Sequence, residues 1–452
     1  MTITRTFDAA DLGTREDTWL LDGRWDDVPA VPPEQLLDEV SDVLVLAAHP
    51  DDESLGCGGV VAAAGRAGLP LRVIVATDGE RSHPHATAWS ADHLRAARRA
   101  EAAVATEQLG PAATLHLLGL PDGQVAHHED DLLAAARPFV GPATVVLAPW
   151  RSDGHPDHEA VGRVAARLGA RLWEYPLWAW HWGGPDDLPW ERLRQVPLDV
   201  GLVATKRLAI DAHGSQVGAL GPGPGDRPLV GAHVRARFER LVETYVVGAD
   251  DPVPLPRASE RQATFDDLSA GDPWQLDGWY ERRKRAVVTA ALRRERYRRV
   301  LDIGCGTGDL TALLAQRAEQ VVGVDVSAVA LERTRARVPG EGVDLHHGEL
   351  PGVLDEVGGP LFDLVVISEV GYFLRGDEWL TTLRGARRRL AEGGELVLVH
   401  WRHPTREIPL DGRLATEQAI AMLDLPLRVR LEDDDFLLTV HGGLSLDPRG
   451  QS

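Results

Sequence analysis

The chain has 452 residues and a formal net charge of −21, with 44% hydrophobic and 26% charged residues. This length and composition predict two to three globular domains with full cores. Because a phosphate backbone or an anionic bilayer requires a basic face, the acidic balance disfavours both as partners. No apolar run approaches the roughly eighteen residues of a membrane span, and no secretory signal is visible. Its two cysteines form no CxxC pair, which predicts a cytoplasmic protein without a disulfide framework.

Strands alternate with helices through the first half of the chain, after an N-terminal arm of about forty residues. This alternation predicts a Rossmann-like, doubly wound α/β domain with a mainly parallel sheet. The predicted strands are Asp42–Ala48, Leu71–Thr77, Thr114–Leu118 and Thr144–Pro149, and the predicted helices are Asp52–Ala67, Ser90–Leu109, Asp130–Arg137 and a stretch from His158 to about Leu168.

A proline-rich polar stretch at residues 250–259 can continue neither a helix nor a central strand. We place the domain boundary there, which gives domains at residues 1–252 and 253–452. The second half then repeats the α/β pattern and predicts a second doubly wound domain. Its predicted elements are a charged helix over Asp277–Arg296 and strands ending near Ile303 and covering Gln320–Val324, Phe362–Ile367, Leu396–His400 and Phe436–His441.

Histidines and carboxylates follow two apolar strands of the first domain. Ala48–Glu53 reads Ala-His-Pro-Asp-Asp-Glu, and Gly154–Glu159 reads Gly-His-Pro-Asp-His-Glu. Carboxylates crowded at a strand end repel one another and lose hydration, which costs free energy. A bound divalent cation removes this cost because its charge compensates theirs. His49, Asp52 and His158 around one cation leave a position for water, which is typical of catalytic zinc. Such an ion lowers the pKa of the water toward about 7.

The neighbouring residues have candidate roles in catalysis. Asp51 is the carboxylate that can take the proton of the water. If Pro156 opens a helix, His155 and His158 both project from its first turn. One of these imidazoles then binds metal, and the other stabilises or protonates a tetrahedral intermediate. Asp157 can hold an imidazole in one orientation.

This motif pair resembles the PIG-L/LmbE-like family of zinc-dependent amide deacetylases over about residues 40–250. The resemblance implies an N-acetyl amino sugar or glycoconjugate as substrate and zinc, or another divalent metal, as cofactor. It assigns His49, Asp52 and His158 as metal ligands, Asp51 as general base, His155 as electrostatic catalyst, and Arg98 and Asp122 as sugar-binding residues. For Arg98 and Asp122 an ordinary salt-bridged surface is the alternative. The histidines of Arg81–His85 depart from the family pattern, and we interpret that segment as a surface loop rather than a set of substrate contacts.

A glycine-rich loop in the second domain indicates a nucleotide-like cofactor. Gly304, Gly306 and Gly308 lie between a strand and a helix, where glycine lets backbone approach a ligand closely. Asp325 ends the next strand, where it can accept hydrogen bonds from two ribose hydroxyls. Asp302 stands ahead of the glycines, and their GxGxG spacing differs from the GxGxxG of dinucleotide-binding loops. The alternative is a tight strand–helix turn without a cofactor.

Asp302 to Gly308 resembles the first motif of class I S-adenosylmethionine-dependent methyltransferases, and residues 272–373 resemble the nodulation N-methyltransferases, which methylate the amine of a glucosamine unit. The resemblance implies S-adenosylmethionine as cofactor, Asp302 near its positive part, Glu349 near the adenine and Glu369 beside the methyl group. Further candidates for the cofactor or acceptor site are Trp274, Trp279, Tyr280, Tyr372, His400 and His403, with packing on the sheet as the alternative for Trp274, Trp279 and Tyr280.

The two motif sets together suggest sequential chemistry. An amide nitrogen is a poor nucleophile because its lone pair is delocalised into the carbonyl. Hydrolysis of the amide frees an amine, which can then attack a sulfonium methyl. Two alternatives remain open: the domains act at separate positions of one natural product, with O- or C-methylation, or one domain is a non-catalytic cofactor-binding module. The oligomeric state is not predicted.

Overall fold

The computed structural model describes residues 11–248, 261–271, 275–340, 342–403 and 408–443. The chain separates into two compact units, residues 1–254 and 255–452, and the predicted boundary within residues 250–259 lies outside the described residues. Each unit contains a mixed sheet of seven strands flanked by helices, which confirms the predicted α/β class. None of the helices in the described stretches combines the length and apolarity needed to cross a bilayer.

The first unit has the strand order β3-β2-β1-β4-β5-β7-β6, in which β7 runs antiparallel to both of its neighbours. The strands are β1 (Asp42–Ala47), β2 (Leu71–Thr77), β3 (Thr114–Leu120), β4 (Thr144–Pro149), β5 (Arg171–Tyr175), β6 (Leu193–Pro197) and β7 (Val242–Val247). The helices are α1 (Glu16–Leu20), α2 (Pro33–Leu36), α3 (Asp52–Arg66), α4 (Ala91–Leu109), α5 (Glu129–Ala136), α6 (Pro156–Ala166), α7 (Ala179–Trp182), α8 (Val200–Ala212), α9 (Gly214–Val217) and α10 (Ala232–Arg235).

Sequence periodicity located the first four strands but not β5, β6 and β7. Strand β6 reads Leu-Arg-Gln-Val-Pro, and its Arg194 and Gln195 are buried although both are polar. Such a segment lacks the apolar run or alternation by which strands are recognised. It forms a strand because β7 pairs along its whole length, from Leu193 with Val246 to Pro197 with Val242.

The site of interest lies where β1 and β4 end. These strands are parallel neighbours, with Asp42 opposite Thr144 and Val45 opposite Leu147. The strand order reverses between them, which makes this the switch point where open α/β sheets bind ligands. Helix α6 begins at Pro156, the first helical residue, because proline is preorganised for that position. The two His/Asp segments therefore emerge side by side.

The second unit has the same order, β10-β9-β8-β11-β12-β14-β13, with β14 antiparallel to its neighbours. Its strands are β8 (Tyr297–Ile303), β9 (Ala318–Asp325), β10 (Val343–His347), β11 (Phe362–Ser368), β12 (Leu390–Trp401), β13 (Leu427–Glu432) and β14 (Phe436–Gly442). The helices are α11 (Arg261–Ala270), α12 (Trp279–Ala291), α13 (Asp309–Ala315), α14 (Ala328–Arg337), α15 (Val353–Glu356), α16 (Gly376–Arg389) and α17 (Gly412–Met422).

Helix α12 is shorter than the predicted Asp277–Arg296. Tyr297 is buried, pairs with Ala318 in the sheet, and donates its hydroxyl to Glu395 Oε2 at 2.8 Å. The chain must therefore leave the helix before residue 297 to enter β8. The strand order reverses at β8 and β11, which are parallel neighbours, so Gly304 and Glu369 follow the two strands that flank the second switch point.

Candidate active sites of the two units

Three potential metal ligands meet at the switch point of the first unit. His49 Nδ1 lies 3.2 Å from His158 Nε2 and 3.8 Å from Asp52 Oδ2, and His158 Nε2 lies 3.4 Å from Asp52 Oδ1. Tetrahedral zinc with bonds of about 2.0–2.1 Å places neighbouring donor atoms about 3.3–3.4 Å apart. Asp52 Oδ2 accepts from the backbone N–H of Ala48 and His49, which leaves Oδ1 toward His158. The donor set fits a zinc-type ion.

Carboxylates hold the opposite nitrogen of each imidazole. His158 Nδ1 lies 2.7 Å from Asp153 Oδ2, and His49 Nε2 lies 3.4 Å from both Asp122 Oδ1 and Asp157 Oδ2. An imidazole that donates through one nitrogen presents the other as a ligand. Burial opposes protonation of both rings, but the adjacent carboxylates outweigh it: they raise the pKa of His158 to about 9 and that of His49 well above its usual value.

Two other convergent sets share His49: one adds His155 and His158, and the other adds Asp122 and Asp157. Both oxygens of Asp157 already accept backbone N–H groups, from Gly123 at 2.7 Å and Val125 at 3.1 Å. Two imidazoles with one carboxylate also suit zinc better than one imidazole with two carboxylates. His49 could therefore hold a metal through Nδ1 while its Nε2 faces the carboxylates of Asp122 and Asp157.

Asp51 lies on a strained turn beside this triangle. Its φ of 127° is rare for a residue other than glycine. Arg98 Nη2 donates to Asp51 Oδ1 at 3.1 Å and to the Pro50 carbonyl, while Nη1 donates to the Gly79 carbonyl. Burial raises the pKa of Asp51 to about 6, although the Arg98 charge opposes the rise. A buried carboxyl with such a pKa suits a general base near neutral pH.

His155 precedes α6, and its Nδ1 accepts the backbone N–H of Asp157 at 3.3 Å. Its ring centroid lies 4.6 Å from that of His158 and 5.0 Å from that of His49. Burial, together with the neighbouring imidazoles, lowers the pKa of His155 well below its usual value. The ring is therefore neutral at pH 7, with Nδ1 as acceptor and Nε2–H as donor. Such a donor can stabilise developing negative charge on oxygen.

In the second unit the glycine loop after β8 is shaped by backbone geometry. Gly304, Gly306 and Gly308 have φ values of 74°, 54° and 83°, in the left-handed region that favours glycine. A Cβ on Gly304 would lie 2.1 Å from Val370 Cγ2, whereas a Cβ on Gly306 would meet nothing within 4 Å. Asp325 Oδ2 accepts the Gly306 N–H at 2.8 Å. The loop is thus fixed on one side and open on the other.

The open side faces a cavity of about 220 Å³ whose lining includes four acidic residues that the sequence singled out, Asp302, Asp325, Glu349 and Glu369. Asp302 is buried and its Oδ2 accepts from Thr311 Oγ1 at 2.8 Å. Burial raises the pKa of Asp302 to about 6. Open glycine backbone beside carboxylates suits a cofactor that carries a ribose and a positive charge.

Comparison with known proteins finds two family models in the chain. The GlcNAc-PI de-N-acetylase model, PIG-L, matches residues 44–168, and a methyltransferase domain model matches residues 300–394. Over 188 residues, 38% of the chain, the sequence is 31% identical to nodulation protein S of Rhizobium tropici, and 76% of that protein is covered. The chain belongs to the nodulation protein S family. Ahead of this methyltransferase domain it carries the PIG-L domain.

Two solved structures resemble the domains. The N-methyltransferase NodS from Bradyrhizobium japonicum WM9, in complex with S-adenosyl-L-homocysteine, is 23% identical and covers 41% of this chain and 100% of its own, with a TM-score of 0.36. The N,N'-diacetylchitobiose deacetylase from Pyrococcus horikoshii is 21% identical and covers 45% of this chain and 80% of its own, with a TM-score of 0.34.

The PIG-L domain brings the residues that the sequence singled out to one cavity of about 460 Å³. The cavity is lined by His49, Asp51, Asp52, Arg98, Asp122, His155 and His158. Asp157 lies behind His49, with Oδ2 3.4 Å from His49 Nε2. The segment Arg81–His85, interpreted from the sequence as a surface loop, instead contributes Arg81, Ser82 and Pro84 to this lining. Its two histidines are not among the lining residues of the described part of the chain, and His83 is buried with its Nε2 3.1 Å from the Arg227 carbonyl. Asp153 was not among the residues predicted from the sequence, although it is the carboxylate between β4 and the His-Pro-Asp-His motif, where a partner for an imidazole is expected.

In the methyltransferase domain Glu349 Oε1 is 2.8 Å from Arg261 Nη1. Glu369 has a φ of 62°; its Oε2 accepts from Tyr372 at 2.7 Å and lies 3.4 Å from Lys284 Nζ. Lys284 was not among the residues predicted from the sequence, and it differs from its neighbours only in being the single lysine of the arginine-rich helix α12. Its buried ammonium lies 2.7 Å from Glu281 Oε1.

The remaining acceptor candidates are distributed differently. Tyr372 lines the cavity of the methyltransferase domain. His400 is fully buried and is not among the cavity-lining residues of the described chain. His403 is exposed and pairs with Asp435. Trp279 is 73% exposed and is not among the residues of the described chain that line the cavity. Its position therefore supports neither of the two predicted roles, covering the cofactor or packing on the sheet. Tyr280 packs against the core of the sheet, and Trp274 lies outside the described residues.

Proposed function

We propose that the chain is a bifunctional enzyme acting on an amino sugar or a glycosylated natural product. The PIG-L domain hydrolyses an N-acetyl group with a divalent cation, zinc in the first place, held by His49, Asp52 and His158. The methyltransferase domain then transfers the methyl group of S-adenosylmethionine to the freed amine. The observation that carries the proposal is the convergence of His49 Nδ1, His158 Nε2 and the two carboxylate oxygens of Asp52, at separations of 3.2–3.8 Å, beside the buried carboxyl of Asp51. Two free, buried cysteines support a cytoplasmic setting.

In the hydrolytic step the side chains of the PIG-L domain handle the proton and the charge. A bound cation supplies polarisation of the amide carbonyl and a water that ionises near neutral pH. Asp51, oriented by Arg98, accepts the proton of the attacking water and delivers it to the leaving nitrogen. His155 Nε2–H donates to the oxygen that becomes negative on the tetrahedral carbon. Asp153 and Asp157 keep the imidazoles of His158 and His49 in their orientations.

In the methyl-transfer step the acceptor amine must lose a proton. The cofactor supplies an activated methyl group, so the protein needs orientation and a base. Glu369 follows β11 at the switch point; its Oε2 faces Tyr372 and Lys284, while its buried Oε1 has no partner among the described residues. Burial raises the pKa of Glu369 against the opposing effect of the Lys284 charge. We assign Oε1 to accept the proton of the amine.

The test uses the full chain with zinc, S-adenosylmethionine and an N-acetylglucosaminide, followed by mass spectrometry. The expected result is loss of acetyl and then gain of methyl on the same nitrogen. Glu369→Gln should stop at the free amine. Methylation of a hydroxyl while the free amine stays untouched would contradict N-methylation and favour the O-methylating alternative. Release of no acetyl group by the zinc-loaded protein, across a panel of N-acetyl amino sugars, would refute the hydrolytic half.

A further inference from the structure

The cavity of the PIG-L domain is larger than its catalytic groups require. It measures about 460 Å³, whereas about 150 Å³ is enough to hold one benzene ring. A sugar ring with its acetyl group therefore leaves space for at least one further ring. Apart from the catalytic residues, most of the lining is apolar or aromatic: Leu55, Leu177, Trp178, Trp182, Leu229, Val230, Val234 and Phe238.

Three rings of this lining form what we call the aromatic wall, His155, Trp178 and Trp182. The centroids of the two indoles are 4.9 Å apart with planes at 19°. The His155 plane makes 6° with that of Trp182 and 24° with that of Trp178, each at 6.5 Å. The three rings are therefore close to parallel, and the wall begins at the imidazole that lies 4.6 Å from His158.

The wall is held in register with the catalytic residues by one carboxylate. Asp153 Oδ2 is 2.7 Å from His158 Nδ1 and accepts the Trp178 N–H at 3.0 Å, and Oδ1 accepts the Ala179 N–H at 3.0 Å. Trp178 and Trp182 are four residues apart at α7, so their side chains lie on the same helix face. The indoles consequently have a fixed position relative to the scissile amide.

Outside the catalytic set, both arginines of this lining already donate to backbone carbonyls of the protein. Arg237 Nη2 donates to the carbonyls of Leu12 and Thr14, and Arg81 Nη1 donates to the carbonyl of Asp122. Hydroxyls of a second sugar packed against leucine, valine and phenylalanine side chains would lose hydrogen bonds to water without replacement. An uncharged aromatic group would lose none, and it gains stacking on indole.

We propose that the substrate of the PIG-L domain is a glycoside whose aglycone is an uncharged aromatic ring system stacked on Trp178 and Trp182. This inference rests on the proposed deacetylation. According to this inference, the aromatic wall determines which of several N-acetyl glycosides with the same sugar is the preferred substrate. A stacked ring contributes about 0.5–1.5 kcal/mol beyond the area that it buries, so we expect an aryl glycoside to be preferred over a methyl glycoside by about two- to tenfold.

The experiment compares three N-acetylglucosaminides, with naphthyl, methyl and second-sugar aglycones. Acetate release by the zinc-loaded full chain gives kcat/KM, and calorimetry on protein without added metal gives Kd. The naphthyl compound should have a kcat/KM that is about two- to tenfold higher than those of the other two, and a Kd that is lower by the same factor. Trp178→Ala and Trp182→Ala should reduce the naphthyl-to-methyl ratio toward one. Trp89→Ala, which removes an indole stacked on His93 outside the described lining, should leave the ratio unchanged.

The two readouts separate this inference from the proposed function. Absence of acetate release with all three compounds refutes the proposed deacetylation, and the binding ratio still tests the aromatic wall. Equal binding of the naphthyl and methyl compounds, or preference for the second sugar, overturns the inference even if acetate is released. An unchanged ratio in both tryptophan variants overturns it as well.

Discussion

Asp153→Asn is the most informative substitution, because this carboxylate supports the metal site without belonging to it. Asp153 Oδ2 faces His158 Nδ1 at 2.7 Å and accepts the Trp178 N–H, and Oδ1 accepts the N–H groups of Leu177 and Ala179. Asparagine has one acceptor oxygen, so in either orientation its NH₂ group faces donors. At least two hydrogen bonds are lost, at about 1–3 kcal/mol for each buried group left unsatisfied.

Two effects follow from this loss. The unfolding free energy should fall by about 2–6 kcal/mol, and the zinc dissociation constant should rise by about 10–100-fold, because the imidazole of His158 loses the partner that fixes its orientation. Asp157→Asn should have a smaller effect on zinc, since its contact with His49 is longer, at 3.4 Å. Zinc affinity is measured by competition with a chromophoric chelator, and stability by urea unfolding without metal.

Asp226→Asn is the matched control. Asp226 is buried in the same unit and accepts from Thr87 N–H, Thr87 Oγ1, Ala88 N–H and Gly223 N–H, and these described hydrogen bonds include none to an imidazole. Its substitution should cost comparable stability while zinc affinity stays within about threefold of the wild-type value. If Asp153→Asn binds zinc as tightly as the wild type, or if Asp226→Asn weakens zinc equally, the assignment of Asp153 to the metal site is refuted.

Three further predictions concern the base, the cofactor loop and acid stability. Asp51→Asn should lower acetate release by about 10²–10⁴-fold and leave methylation of a pre-deacetylated amine intact; loss of both activities would contradict separate sites. Gly304→Ala should abolish S-adenosylhomocysteine binding in calorimetry, because its Cβ would lie 2.1 Å from Val370 Cγ2, while Gly306→Ala should have the milder effect. Burial lowers the pKa of His400 to about 3, so its contribution to stability is complete above about pH 6.5 and is lost as the pH falls toward 3. The unfolding free energy of the wild type should therefore fall between pH 7 and pH 5 by about 2 kcal/mol more than that of His400→Leu. Urea unfolding at the two pH values measures this, and an equal fall in both proteins would refute the prediction.

Short-range sequence patterns were sufficient for the fold class and for the position of both switch points. The apolar runs before His49 and Gly304 are strands buried on both faces, so they are recognisable without knowledge of their neighbours. The His-Pro-Asp segments and the glycine loop are local in the chain, because ligand groups at a strand end must follow that strand directly. Pro156 likewise marked the start of α6.

Tertiary structure decided which carboxylate supports which imidazole. Asp157 is adjacent in sequence to His158 but contacts His49, while His158 pairs with Asp153. The aromatic wall and the buried ammonium of Lys284 were equally invisible, since a tryptophan or lysine looks the same in a core, on a surface or in a cavity. Strand β6 also escaped recognition, because it is defined by its pairing partner and not by periodicity. The sequence by itself thus determined which reactive groups stand at the ends of strands, since that is a local property. The structure determined how those groups are oriented and enclosed, since orientation depends on contacts between residues that are distant in the chain.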